Sequence, residues 1–153
     1  MSIEERLVSL GITLPTPAKA VANYVPYVLS NGLLSISGQL PMGANGLVYE
    51  GIVGGDVSIE NATEAARLCG INIIAQAKAA CGGDLSRVKQ IVKLGGFVAG
   101  VNGFSDQPKI INGASDLMVE IFGDAGRHSR SAVGVSGLPL GAPVEIDALI
   151  EIT

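Results

Sequence analysis

Residues 127–153, RHSRSAVGVSGLPLGAPVEIDALIEIT, decide how the rest of the chain is interpreted. Apolar and mostly acidic side chains alternate from Val144 to Ile152, which is typical of a β-strand that buries one face. A second strand is predicted where Arg130 is followed by Ser-Ala-Val-Gly-Val, and a Gly-Leu-Pro-Leu-Gly segment connects the two. We interpret these segments as two paired strands of one sheet.

Two charged side chains lie at neighbouring strand ends if these strands pair, namely Arg130 and Glu145. Arginine offers a planar fork that fits a carboxylate, and glutamate can position or deprotonate a water molecule. One interpretation is therefore a small-molecule site. The other is a structural salt bridge at a sheet edge, and the strand pattern by itself favours this second interpretation.

The composition limits the class of protein. A chain of 153 residues is long enough for one domain with a core, which is predicted to span residues 1–153. Hydrophobic residues make up 48% and charged residues only 16%, which indicates that part of the apolar surface is buried between subunits. Because the net charge is −4 and no basic cluster is present, nucleic acid is not an expected partner.

Several other features are predicted to be absent. No apolar run approaches the roughly 20 residues that a membrane-spanning helix needs, and no signal peptide is recognisable, so we expect a cytoplasmic protein without a membrane partner. Cys69 and Cys81 fall on one predicted helix about 18 Å apart, which is too far for a disulfide. With a single histidine in the chain, a zinc site of Cys and His ligands is not expected either.

The first part of the chain is predicted to form a helix, an arm and a hairpin. Ser2 caps a short helix that ends at Gly11, and residues 13–20, which contain two prolines, form an extended arm. Strands are predicted from Tyr24 to Ser30 and from Leu33 to Ser37, because the Asn-Gly pair between them is a strong two-residue turn signal. The glycine-rich loop at 42–57 is predicted to contain a short strand at 47–49.

Two helices and one more strand complete the prediction. A helix from Ile59 to Ala80 is capped by Ser58, and a second helix runs from about Pro108 to Phe122. Between them, a strand from Val88 to Val98 is predicted to bulge or bend at Gly95-Gly96. This order predicts an α+β fold with both helices on one face of a sheet, whose other face is covered by oligomerisation.

The motifs of the chain resemble those of a known family. Residues 37–41 read Ser-Gly-Gln-Leu-Pro, and Arg-Ser-Ala-Val-Gly-Val from Arg130 is followed by Leu-Pro and then by Val-Glu-Ile-Asp-Ala. In these motifs and their order, from about Tyr24 to the C-terminus, the chain resembles the Rid family of reactive-intermediate (imine) deaminases. This family is also called YjgF-like or the L-PSP endoribonuclease family.

The resemblance implies a fold, an assembly and an activity. It implies a chorismate-mutase-like fold, a homotrimer, and clefts between subunits in which 2-imino acids are hydrolysed to 2-oxo acids and ammonia without metal or cofactor. It also implies that Arg130 anchors the substrate carboxylate and that Glu145 positions the water. The remaining cleft residues implied by the resemblance are Tyr24, Ser37, Gly38, Asn112 and Ala132.

The chain departs from the family pattern in two ways. Ala132 stands where the family's deaminases often carry a cysteine, so only its backbone could serve the site. Residues 1–20 form an N-terminal extension, and the loop at 42–57 is longer, so both could reshape the cleft. These differences predict a distinct subgroup whose preferred substrate does not follow from the resemblance.

Several interpretations stay open at the level of the sequence. His128, two residues before Arg130, is either catalytic or a histidine at a turn or subunit contact. An imine deaminase is the leading function because Arg130 and Glu145 are both present. A non-catalytic trimer that binds a carboxylate metabolite is the alternative, followed by an endoribonuclease, which the acidic charge disfavours.

Overall fold

The computed structural model describes residues 1–17 and 23–153, so part of the predicted arm lies outside the described residues. Residues 13–17 of the arm form neither helix nor strand. In the described ranges, the helices are α1 (Ile3–Ser9), α2 (Ile59–Ala80) and α3 (Gln107–Phe122). The strands are β1 (Tyr27–Ser30), β2 (Leu33–Gln39), β3 (Met42–Gly43), β4 (Gly46–Leu47), β5 (Val88–Ala99), β6 (Ser129–Val135) and β7 (Val144–Ile152).

Five of the strands form one mixed sheet in the order β1-β2-β7-β5-β6. Neighbouring strands are antiparallel except for β5 and β6, which are parallel. The predicted pairing of the two C-terminal strands is therefore wrong, because β5 lies between β6 and β7. Parallel neighbours require a crossover connection, and α3 supplies it between β5 and β6. The segment that follows β6 then crosses the end of β5 before β7 begins.

Both long helices pack on the same face of the sheet, as predicted. α2 contacts β7 and β2, and α3 contacts β5 and β6. The core between the layers is built from the inward-facing side chains of alternate strand positions, together with small residues on α2. Its fully buried members include Leu34, Ile91, Leu94, Ile146, Ala62, Ala65, Ala66, Ile111 and Leu117. The predicted α+β arrangement is confirmed.

Local capping signals fixed most helix bounds. The capping box of Ser2 and Glu5 forms at the start of α1, and the Ser58 hydroxyl accepts the Asn61 N–H at the start of α2, which has the predicted bounds. α3 begins at Gln107, one residue earlier than predicted. Leu7 is buried on α1, whereas Leu10, the residue that follows the end of the helix at Ser9, is exposed.

The strand predictions were less accurate than the helix predictions. The hairpin between β1 and β2 forms as predicted, with Asn31 and Gly32 both at positive φ, although β1 begins at Tyr27 rather than Tyr24. β2 extends to Gln39, and a bulge lies between Ile36 and Gln39. The loop at 42–57 contains the small β3–β4 hairpin instead of a strand at 47–49.

The predicted bulge at Gly95-Gly96 does not form. Both glycines pair regularly with β7, opposite Asp147 and Ile146, and the register shifts lie nearer the start of β5. A side chain at Gly95 would collide with the carboxylate of Asp147, and one at Gly96 would meet Ile111 of α3 at about 2.6 Å. These glycines therefore make room for neighbouring side chains and do not bend the strand.

The face of the sheet opposite the helices carries exposed apolar side chains. Val28 of β1 is 54% exposed, Leu33 of β2 41% and Val133 of β6 45%. The strand registers put all three on this face, which also carries Phe97 and Glu145. We call it the open face. Its apolar surface agrees with the prediction of oligomerisation, which stays a prediction.

Candidate functional site

Arg130 points to the helix side of the sheet, where α3 holds its guanidinium. Its Nη1 donates to Asn112 Oδ1 at 2.8 Å and to Ser115 Oγ at 3.0 Å. Its Nη2 donates to the Pro108 carbonyl oxygen at 3.1 Å. Asn112 and Ser115 are three residues apart on the helix, so they lie on one face and reach the same group. We call these three residues of α3 together with Arg130 the arginine half-site.

An inventory of the donors shows what Arg130 can still bind. A guanidinium has five N–H groups, and the three contacts to α3 use both hydrogens of Nη1 and one of Nη2. Nε–H and one hydrogen of Nη2 remain, and these two nitrogens can present parallel donors to a carboxylate. Among residues 1–17 and 23–153, the ion pairs involve other cations, so no carboxylate neutralises Arg130.

A shallow cleft of about 300 Å³ lies beside this arginine. Its lining comprises Asn112, Ser115, Asp116, Val119, Arg127, His128 and Arg130. His128 is thus placed in the cleft, where its Nε2 lies 2.9 Å from Ser115 Oγ and its Nδ1 lies 2.6 Å from the Gly126 carbonyl oxygen. The charged side chains of the lining are two arginines and one carboxylate, that of Asp116, so the cleft suits a small anion.

Glu145 lies on the open face, where it is partly buried beside Gly38. A side chain at Gly38 would collide with the Glu145 carboxylate, so the glycine allows the carboxylate to lie against the β2 backbone. Burial raises the pKa of Glu145, and the nearby charge of Asp147 raises it further. Burial also raises the pKa of Asp147, opposed by the Gly95 N–H and by Lys93.

Ser37 precedes Gly38 on β2 and is hydrogen-bonded to the backbone of the residues just before β1. Its hydroxyl donates to the Val25 carbonyl oxygen at 2.8 Å, and its N–H donates to the Pro26 carbonyl oxygen at 2.9 Å. The segment that contains Tyr24, which is 57% exposed, is thereby fixed next to the bulge of β2. We call Ser37, Gly38 and Glu145 the glutamate half-site, with Tyr24 beside it along the chain.

The two half-sites do not meet within one chain. Arg130 pairs with Leu94, and Glu145 pairs with Phe97, which is three residues along β5 and therefore faces the opposite side. The strands β6 and β7 are also separated by β5, about 10 Å across the sheet. The prediction that Arg130 and Glu145 lie at neighbouring strand ends is therefore wrong within a single chain. The interpretation as a salt bridge between them is also wrong there.

Ala132 lies on the same side of β6 as Arg130, packed partly against the core. β6 is an edge strand, so one row of its backbone groups has no strand partner in the described part of the chain. The backbone of Ala132 can therefore serve a ligand without a thiol.

Sequence reasoning did not assign Ser115, the Pro108 carbonyl or Asp147 to the site. Ser115 could have been found, because it lies three residues after Asn112 on one helix. The Pro108 carbonyl could not have been, because a backbone acceptor has no sequence signal. Asp147 was visible as an acidic position on the same strand face as Glu145, but its closeness to Gly95 depends on the register of β5.

Comparison with known proteins identifies the family. The family model described as YjgF/chorismate mutase-like, whose description also names an endoribonuclease, matches residues 4–151. The chain belongs to this family. The Rid/YjgF-like resemblance drawn from the motifs is thereby confirmed. A relative is Protein TCP17 of Trypanosoma cruzi, which is 45% identical over 151 residues, or 98% of this chain and 94% of TCP17.

Solved structures of other proteins have the same fold as this chain. Atu1372 of Agrobacterium tumefaciens is 51% identical with a TM-score of 0.93, and the alignment covers 99% of this chain and 92% of Atu1372. A protein of Shewanella oneidensis described as a candidate endoribonuclease is 41% identical with a TM-score of 0.95, covering 99% and 100% of the two chains. Both alignments include the N-terminal extension, which is therefore shared with these relatives.

Two further features of the described residues concern metal-binding clusters and membrane-spanning helices. In the part of the chain that the structure describes, no three His, Cys, Asp or Glu side chains are grouped so that they could hold a metal ion. None of the helices in the described ranges combines the length and the apolar character needed to cross a membrane.

Proposed function

We propose that the protein hydrolyses 2-imino acids to 2-oxo acids and ammonia, like a 2-iminobutanoate or 2-iminopropanoate deaminase. The observation that carries the proposal is the state of Arg130. Three neutral acceptors of α3 fix its guanidinium, and two donors stay free on a cation without a carboxylate partner in the described chain. Such a fork fits the carboxylate that every 2-imino acid carries next to its imine carbon.

The proposed cleft needs two copies of the chain. The glutamate half-site lies on the open face and the arginine half-site on the helix side, so one chain alone cannot bring them to one substrate. A homotrimer in which the edge strand β6 of one copy approaches the open face of the next would join them. The exposed apolar side chains of the open face support burial in such an assembly.

The reaction requires little from the protein beyond the correct placement of the substrate and a water molecule. In R–C(=NH)–COO⁻ the imine carbon is already electrophilic, so a water molecule held beside it can add to form a C–O bond. Ionised Glu145 accepts a proton from this water, and its raised pKa makes it a stronger base than an ordinary carboxylate. This proton passes to the imine nitrogen, which gives the carbinolamine R–C(OH)(NH₂)–COO⁻. The proton of the new hydroxyl then moves to the nitrogen, again by way of Glu145, as the C=O bond forms and the C–N bond breaks, so that ammonia and R–C(=O)–COO⁻ are released.

The deciding experiment measures ammonia release from 2-iminopropionate generated in situ by an amino acid oxidase. We expect the protein to accelerate release and Arg130→Ala to abolish the acceleration. Arg67→Ala is the matched control, because Arg67 pairs with Glu120 outside both half-sites. If pyruvate binds to the wild-type protein but no ammonia release is accelerated, the protein binds carboxylates and is not a deaminase.

The descriptions of the relatives also bring an endoribonuclease into the comparison. The net charge of −4 opposes binding to a polyanion, because affinity for nucleic acid comes mainly from basic contacts to phosphates. We expect no salt-dependent shift of RNA in a native gel. A shift at low salt that disappears at high salt would reopen the endoribonuclease interpretation.

A further inference from the structure

The Ser115 hydroxyl lies between Arg130 and the single histidine of the chain. Ser115 Oγ is 3.0 Å from Arg130 Nη1 and 2.9 Å from His128 Nε2. The other ring nitrogen of His128, Nδ1, is 2.6 Å from the Gly126 carbonyl oxygen. A continuous chain of hydrogen bonds therefore runs from the guanidinium to the turn that precedes β6.

The chemistry of the end groups fixes the direction of two hydrogen bonds in this chain, and a neutral imidazole then fixes the third. Arginine only donates, so Ser115 Oγ accepts from Nη1. A carbonyl oxygen only accepts, so His128 Nδ1 carries a proton and donates to Gly126. In the neutral imidazole Nε2 is then an acceptor, and the Ser115 hydroxyl donates to it. In this tautomer each donor of the chain faces one acceptor.

Both ends of the chain are attached to α3. Asn112 and Ser115 belong to the helix itself, and Gly126 packs so closely on the helix backbone that a side chain there would collide with the Met118 carbonyl group. The Gly126 carbonyl oxygen is therefore held at a fixed place relative to Ser115. His128 bridges this fixed point and the hydroxyl, which restricts the rotamer of Ser115.

We propose that His128 is a positioning residue that acts through Ser115 to orient the guanidinium of Arg130 for a carboxylate. With Ser115 held, both Nη1 hydrogens stay bonded to α3, and the guanidinium keeps the orientation that leaves Nε–H and one Nη2 hydrogen free. His128 acts on Arg130 only through the Ser115 hydroxyl. The inference rests on the proposed function for the identity of the ligand, a 2-oxo or 2-imino acid.

The test is a double-mutant cycle read as affinity for a carboxylate. Calorimetry measures the binding of pyruvate and of pyruvamide, its uncharged analogue, to the wild-type protein, Ser115→Ala, His128→Asn and the double variant. His128→Asn keeps a donor for Gly126 but is too short to reach Ser115. Because a hydrogen bond contributes modestly, we expect each single variant to weaken pyruvate binding about threefold to tenfold. We expect binding of pyruvamide to stay unchanged.

Non-additivity distinguishes an effect that His128 exerts on Arg130 through Ser115, which we call the relay, from two independent effects. If His128 acts through Ser115, the double variant binds pyruvate as weakly as Ser115→Ala alone. His128→Gln, whose amide oxygen reaches about as far as Nε2, should restore most of the affinity. A multiplicative loss in the double variant, or wild-type affinity in His128→Asn, overturns the relay. If His128→Asn does not fold, the comparison of His128→Gln with Ser115→Ala decides.

The outcome for the relay is separable from the outcome for the proposed function. Wild-type preference for pyruvate over pyruvamide without any change in the variants overturns the relay and leaves the deaminase proposal standing. The full set of affinity changes without accelerated ammonia release supports the relay and overturns the deaminase proposal. Equal affinity of the wild-type protein for pyruvate and pyruvamide overturns both.

Discussion

At the scale of single residues, Arg130 is held by α3 through three hydrogen bonds to neutral oxygen atoms. A neutral acceptor orients a cation without cancelling its charge, so the charge remains available to a ligand. Because the acceptors come from one helix, the orientation of the fork is fixed before any ligand arrives. Preorganisation of this kind lowers the cost of binding a small carboxylate.

Replacement of Arg130 by lysine tests the need for the fork. Arg130→Lys keeps the charge but provides a flexible point donor, so we expect kcat/KM for imine hydrolysis to fall about tenfold to a hundredfold. Arg130→Ala should cost more, because nothing then anchors the carboxylate. Melting curves should change little, since the arginine lies at the edge of the sheet without a charged partner in the described residues. Full activity in Arg130→Ala would end the deaminase interpretation.

Gly38 is the residue whose substitution should move the Glu145 carboxylate. The new methyl group of Gly38→Ala would collide with the end of a flexible side chain, so Glu145 rotates away while the fold is kept. Because misplacement of a reacting group by about 1 Å is costly, we expect activity to fall on the order of a hundredfold. Gly137→Ala is the control, since a Cβ there meets no atom within 4 Å. Equal activity of the two variants would contradict a role for Glu145.

The raised pKa of Glu145 predicts the pH dependence of the reaction. The base must be ionised, so kcat/KM should fall as the pH decreases through this pKa. Asp147→Asn removes the second cause of the shift, the neighbouring negative charge, and should move the acidic limb of the profile to lower pH. Glu151→Gln, on the same strand but paired with Lys89, should leave the limb in place. An acidic limb unchanged by Asp147→Asn would show that another group limits the rate.

At the scale of secondary-structure elements, local signals sufficed for helices and hairpins but not for the order of strands. Ser58 and the glycines after Cys81 fixed both ends of α2, because caps act within a few residues. The Asn31-Gly32 turn fixed the first hairpin for the same reason. Which strand lies beside β6 depends instead on a crossover of more than twenty residues, and alternation along a strand does not reveal its neighbour.

The same limit applies to the candidate site. Motif resemblance named Arg130, Asn112, Gly38 and Glu145, and the structure groups them in pairs. It could not reveal that the pairs lie on opposite faces, because a face is defined only when the register of β5 is known. The two glycines of β5 were misinterpreted for a related reason. Their function is to admit Asp147 and Ile111, and both come from other elements.

The contact between α2 and α3 provides a prediction about stability. Gly113 lies so close to α2 that a Cβ would collide with the Thr63 carbonyl group, which is backbone and cannot rotate away. Overpacking of this kind costs about 1–3 kcal/mol, so Gly113→Ala should lower the melting temperature by several degrees. Gly137→Ala serves again as the control, in thermal unfolding followed by circular dichroism. An unchanged melting temperature would mean that the helices can separate at little cost.

At the scale of the whole molecule, the sheet has one face covered by helices and one that carries apolar side chains on three strands. The open face also holds the glutamate half-site, so an assembly that buries this face affects the proposed reaction directly. β6 adds a free edge next to the arginine half-site. Association through these surfaces would explain both the apolar composition and the division of the site.

Mixing two inactive variants tests whether the cleft is shared between copies. Arg130→Ala and Glu145→Gln are each expected to be inactive alone, because each lacks one half-site. When the two are unfolded together and refolded as a mixture, a cleft that takes its arginine from one copy and its glutamate from the next is intact in about a quarter of cases at equal proportions. Imine hydrolysis should therefore recover to about a quarter of the wild-type value.

The mixture also separates this assembly from the alternatives. If each chain supplied a complete site, or if the protein were a monomer, every site would keep one defect and no activity would return. Refolded wild-type protein defines full activity. A mixture of Arg130→Ala with Arg130→Lys, which are both altered in the arginine half-site, should not exceed the activity of the lysine variant alone. Sedimentation of the same samples must show trimers. Recovery without trimers would point to a different assembly, and trimers without recovery would overturn the shared cleft.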